Sequence, residues 1–334
     1  MTPLRLIAAL GGLLLLSVPA WAGATLLNVS YDPTSELYRD YNAAFVRHWR
    51  AETGQTVRIL QSHGGSGRQA LAVLEGLPAD VVTLAEPRDI DVLASRAGLV
   101  DPGWRQRFAD GAAPYSSTVV FLVRKGNPKH IRDWDDLARS GVVVMSASPK
   151  TSGGARWAYL AAWGYALHRS GGDAGRAQAF MGAWLRHVPV WESGARGATA
   201  AFLRRGVGDV LLTWENEAIL ARGETGGDAV EIVYPSRSIL AEPPVAVVDR
   251  LAARHGTRTL AEAYLGYLYS REGQEIVARN HYRPRDAAVL RAHAADFPAM
   301  TLFTVDSLGG WTALWRRHFA EGGLFDRLTA AERG

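Results

Sequence analysis

Cysteine is absent from all 334 residues, which excludes a disulfide framework, a thiolate metal site and a lipid-modified cysteine tethering a mature N-terminus. Charge of one sign is not concentrated either. The 37 Lys and Arg are dispersed among 33 Asp and Glu, for a net charge of +4. Nucleic-acid binding would call for a basic cluster, and the sequence has none. The histidines, His48, His63, His168 and His281 among them, form no helical pair and no His-Glu-x-x-His motif, so no metal or other cofactor is expected. Low-complexity tracts and solenoid-type repeats are missing too.

Long apolar runs are equally scarce. The stretch Leu6–Leu16 follows the lone basic residue Arg5 and precedes Pro19 and the small-residue pattern Ala20-Trp21-Ala22. It falls short of the roughly 20 apolar residues that a helix needs to cross a bilayer. The pattern predicts a secretory signal peptide over residues 1–22 and a periplasmic mature chain starting near Gly23. What remains is longer than one hydrophobic core usually organises, so two domains are expected.

Strand-like runs alternate with helical ones. Leu26–Tyr31, Thr56–Leu60 and Ala79–Ala85 each precede a helical segment, a βαβ rhythm that predicts a parallel sheet. In the first helix Leu37, Tyr41, Phe45 and Trp49 recur every four residues, with Asp32 as the expected N-cap, Pro33 in the first turn and Gly54 as the stop. A second series runs from Thr118–Val123 through Val142–Met145 and a helix from about Gly154 to Asp209–Thr213. A lobe change near Pro114 and a return through Ser238–Val248, with Pro243 and Pro244, predict three segments. Residues 23–114 form the first lobe, 115–243 the second, and 244–334 rejoin the first.

Four small-residue turns fall where strands should give way to helices: Tyr31–Thr34, Ser62–Gly67, Thr151–Arg156 and Ser193–Gly197. Singly, each is an ordinary loop or cap. Together they follow strands in both expected lobes, and ligands of open α/β sheets bind beyond the carboxyl ends of strands. First-turn N–H groups are unpaired and carry partial positive charge, and glycine lets an oxyanion approach the backbone. A site for a tetrahedral anion is the expectation.

The segments Asn28–Thr34, Gln61–Gly67, Pro149–Trp157, Ser193–Gly197 and Trp214–Glu217 resemble the periplasmic sulfate-binding protein family. Pro114-Tyr115, Val123–Pro128, Ser238–Pro243 and Tyr282–Asp286 extend the resemblance over essentially the whole mature chain. It implies an α/β, two-lobed periplasmic binding protein type II fold, each lobe a central β-sheet flanked by helices, with the ligand in the interlobe cleft. It implies a sulfate ion held by the backbone N–H groups of Asp32, Ser152, Gly153, Gly154 and Ala195, the Ser66 hydroxyl and the Trp214 indole N–H. It also implies a monomer, not an enzyme, that hands sulfate to the membrane permease subunits of a sulfate/thiosulfate ABC transporter.

Such a donor set suits sulfate for a physical reason. Sulfate at neutral pH has no proton, so the protein must supply every donor. Phosphate keeps a proton, and burying it without an acceptor costs roughly 1–3 kcal/mol. Thiosulfate, and more distantly molybdate or tungstate, pass the same test. Asp32 would contribute its backbone, with its carboxylate turned back onto the helix it caps. Arg68, Arg156 and Arg196 each lie two residues beyond a proposed donor and either add a favourable field or face solvent or pair with structural carboxylates; they are not expected to be ligands. The run Glu86-Pro87-Arg88 departs from the more apolar stretch expected of the family at the cleft rim.

Two enzymatic readings fail on spacing. His63-Gly64-Gly65 resembles an oxyanion-hole run of a serine hydrolase, but Arg68 stands where a Gly-x-Ser-x-Gly elbow around Ser66 needs glycine. Lys150-Thr151 follow Ser148-Pro149 where a phosphate-binding loop needs glycine.

Overall fold

The computed structural model describes residues 23–330, so the expected signal peptide at 1–22 lies outside the described residues. Two main sheets form the frame. The first has the order Val245–Val247, Val81–Thr83, Ala24–Tyr31, Val57–Gly64; the second has the order Trp191–Glu192, Val144–Ala147, Val210–Trp214, Val119–Arg124, Val230–Val233. Val119 to Val123 are all buried, as their unbroken apolar run requires of a strand covered on both faces.

The expected parallel pairing holds for Ala24–Tyr31 with both of its neighbours, but neither sheet is wholly parallel. Val245–Val247 runs antiparallel to Val81–Thr83, and Val119–Arg124 runs antiparallel to the strands on either side of it. Both reversed strands enter their sheet after a crossing from the other one, not through a βαβ connection, so nothing forces them parallel. The crossings touch each other: Ser117 and Ala241 exchange two backbone hydrogen bonds of 2.9 Å.

The first helix, Ser35–Thr53, buries Leu37, Tyr38, Tyr41 and Phe45, and it stops at Gly54, whose φ of +71° favours glycine. Asp32 is not its N-cap, and its carboxylate makes no capping hydrogen bond to the helix. Residues Asp32–Thr34 form a separate 3-10 turn with Pro33 inside it, and Thr34 precedes the helix. Proline fixes its own φ and has no N–H to give, so the chain tightens here before the α-helix begins.

Helices Asp249–His255, Arg258–Tyr267 and Arg271–Arg279 follow the return strand, and Tyr264 donates to Asn42 of the first helix at 2.7 Å. The end of the chain behaves differently. Thr301–Phe303 pairs with Arg237–Ile239, the His318 ring sits edge-on to Tyr159 and Trp163, and Phe325 packs on Tyr159 and Trp191. Residues 301–330 thus pack on helices Gly153–Arg169 and Ala174–Leu185, beside the second sheet, and also touch helix Pro87–Ala97 through Gly310–Leu314 and Trp315. Among the described residues no helix is long and apolar enough to cross a membrane.

Candidate anion-binding site

The strands Ala24–Tyr31 and Val57–Gly64 of the first sheet, and Val144–Ala147 and Val210–Trp214 of the second, end facing one another. A small cavity lies between them, lined by Asp32, Ser66, Ser152, Gly153, Gly154 and Ala195 together with Tyr31, Pro33, Gly64 and Gly65. Six of the seven residues expected from sequence therefore surround one space. The seventh, Trp214, lines an adjoining pocket with Ser152, Gly154 and Ala195.

Three helices begin at this space. Ser66–Leu74 starts after Gly65, Gly153–Arg169 after Ser152, and Ala195–Arg205 after Gly194. The Ser152 Oγ accepts the Ala155 N–H at 3.3 Å, so the N–H groups of Gly153 and Gly154 are left to point outward from the first turn. Glycine is needed here for space. A Cβ on Gly153 would stand 2.8 Å from the Ala85 Cβ and 3.1 Å from the Ser66 Cβ, and one on Gly65 would stand 2.9 Å from the Thr151 carbonyl oxygen. All these contacts join one sheet's turns to the other's.

Three of the expected donors have internal acceptors. The Ser152 N–H donates to the Ser148 carbonyl at 2.9 Å. The Ser66 hydroxyl donates to Asp89 at 2.5 Å and accepts the Ala85 N–H at 3.0 Å. The Trp214 indole N–H donates to the Gly154 carbonyl at 3.2 Å, from a ring that is 2% exposed and packed on Tyr31 and Trp157.

Two of the three arginines are paired with carboxylates across the lobes. Arg156 contacts Glu86, lies 3.3 Å from Asp89, and donates to the Pro149 carbonyl at 2.8 Å. Arg196 contacts Glu36, donates to Ser35 at 3.1 Å and lies 3.5 Å from Glu217. Burial pushes the Glu86 carboxyl up to about 8 against the pull of Arg156, and pushes Glu217 up to about 7 against Arg196. Burial also raises Asp32, with Arg196, His63 and Arg68 opposing. Sequence reasoning missed Asp89, Glu36 and Glu217. The departure at Glu86 signals only the Arg156 contact, where it supplies the partner that buries Arg156; nothing local signals Glu36 or Glu217.

The model of a family described as bacterial extracellular solute-binding protein matches residues 29–283. The chain belongs to that family. It is 58% identical over 305 residues to a sulfate-binding protein of Escherichia coli, covering 91% of this chain and 92% of the relative. It is 48% identical to a thiosulfate-binding protein of Pseudomonas aeruginosa, over 96% and 95% of the two chains. Among solved structures, the sulfate-binding protein of Mycobacterium tuberculosis superposes with a TM-score of 0.78 at 34% identity, over 89% of this chain and 99% of that one. The two sheets flanked by helices are thus those of a two-lobed solute-binding protein with its ligand cleft between the lobes.

Proposed function

We propose that this chain is a periplasmic sulfate-binding protein, exported by cleavage after residue 22, that closes its lobes on one desolvated sulfate and delivers it as a monomer to an ABC importer. The observation that carries the reading is the convergence of glycine-opened helix N-termini from both sheets on one cavity, beside which Arg156 and Arg196 are already paired with carboxylates. The N–H groups of Asp32, Gly153, Gly154 and Ala195 donate directly. Ser66 turns its proton from Asp89 to the anion, Trp214 turns from the Gly154 carbonyl, and Ser152 shares the N–H it gives to Ser148. Glu86, Asp89 and Glu36 are held by Arg156 and Arg196, so they offer no ready acceptor to a protonated phosphate.

The lobes in this reading are 23–114 with the return strand and its helices, against 115–243. The contacts of residues 301–330 favour grouping that last segment with the second lobe instead of the first. Thiosulfate is the second reading, favoured by the Pseudomonas relative that bears its name. Equilibrium dialysis of the mature protein against labelled sulfate, with thiosulfate as competitor, tests both. One sulfate retained per chain supports the proposal, and no retention overturns it.

A further inference from the structure

Beside the cleft runs a second, larger concavity of about 410 Å³. Arg68 on helix Ser66–Leu74 and Arg88 and Arg96 on helix Pro87–Ala97 line it from the first lobe, with Lys150 and Trp315 on the opposite side. Arg88 lies 4.2 Å over the Trp315 ring, and Leu71, half exposed, adds an apolar floor. Lys150 is paired with Asp326, and the one acidic residue in the lining, Asp89, is held by Arg156 and Ser66. Among the described residues Arg68, Arg88 and Arg96 make no ion pair, although ion pairs are frequent elsewhere on the surface.

We propose that this groove docks an acidic, periplasm-facing segment of the membrane importer. The inference rests on the sulfate-binding reading above. Two features point to such a partner. A row of unpaired guanidinium groups over an aromatic and aliphatic floor complements carboxylates carried on a polypeptide, since the floor offers contact area that an inorganic anion would not use. The walls also come from both lobes, so the groove has its full shape only when they close. A partner that recognises it selects the loaded protein over the empty one.

The test uses the mature protein and proteoliposomes containing its importer, with sulfate-dependent ATP hydrolysis as one readout and sulfate calorimetry as the other. In the double variant Arg88→Glu with Arg96→Glu, sulfate affinity should stay within about twofold, while half-maximal stimulation of ATP hydrolysis should need about tenfold more protein. Raising the salt from about 50 to about 300 mM should weaken the wild type's stimulation and leave the variant's nearly unchanged. Equal stimulation by both proteins at equal sulfate affinity would overturn the proposal, as would equally strong wild-type binding to anionic vesicles that lack the importer. If charge reversal disturbs the cleft, Arg88→Gln with Arg96→Gln is judged by the same criteria. A wild type that binds no sulfate would overturn the function itself and the docking with it.

Discussion

Two residues measure the cavity most directly. Gly153 sits where a methyl group would meet Ala85 and Ser66 across the lobe interface, so Gly153→Ala should hold the lobes apart. We expect at least a tenfold loss of sulfate affinity, about 1.4 kcal/mol, with little change in the stability of the unliganded protein. Calorimetry and thermal unfolding on the same sample separate the two effects. Trp214→Phe keeps most of the ring that packs on Tyr31 and Trp157 but removes the indole donor. The cost of one missing donor to a buried dianion is about 1.5–3 kcal/mol, so affinity should fall roughly ten- to hundredfold. Wild-type affinity in this variant would mean that the indole N–H stays with the Gly154 carbonyl and Trp214 serves only the core.

Helix Pro87–Ala97 and its preceding turn meet helix Gly153–Arg169 through the buried contact of Glu86 and Asp89 with Arg156. Glu86 and Glu217, lifted to about 8 and about 7, hold protons in the folded protein that the unfolded chain has already released above the ordinary carboxylate range. Stability from this source is fully present below the ordinary carboxylate range, falls steadily as the pH rises above it, and is gone once the pH has passed about 8. His318, pushed down to about 3 by burial, acts in the opposite direction, but it is neutral in both states above about pH 6.5. The melting temperature should therefore fall between about pH 6.5 and about pH 8.5, and Glu86→Gln should flatten that slope. A slope unchanged by the substitution would remove Glu86 from the account. These ion pairs also mark where sequence reading stopped. Glycine-rich turns after apolar strands can be seen locally, and they lead to the cavity lining. Arg156 finds Glu86 and Asp89 some 70 and 67 residues away, and no local pattern announces such a pair. The antiparallel direction of Val119–Arg124 escaped for the same reason: apolar periodicity tells which face is buried but not against what.

For the whole molecule, the cavity takes its walls from turns of both sheets, so neither lobe can complete it alone. The anion then favours the closed form by its differential affinity for that form. Small-angle scattering should show compaction on adding sulfate, and Gly153→Ala should resist it. Unchanged scattering at saturating sulfate would place the anion on a single lobe. Recognition itself is more specific than closure: the proposed site donates hydrogen bonds to its anion and accepts none. Calorimetric titration of one mature sample with sulfate and then with phosphate at neutral pH tests this most directly. One sulfate should bind per chain, and phosphate should give no measurable heat. Tight phosphate binding, or phosphate displacing bound sulfate, would contradict it.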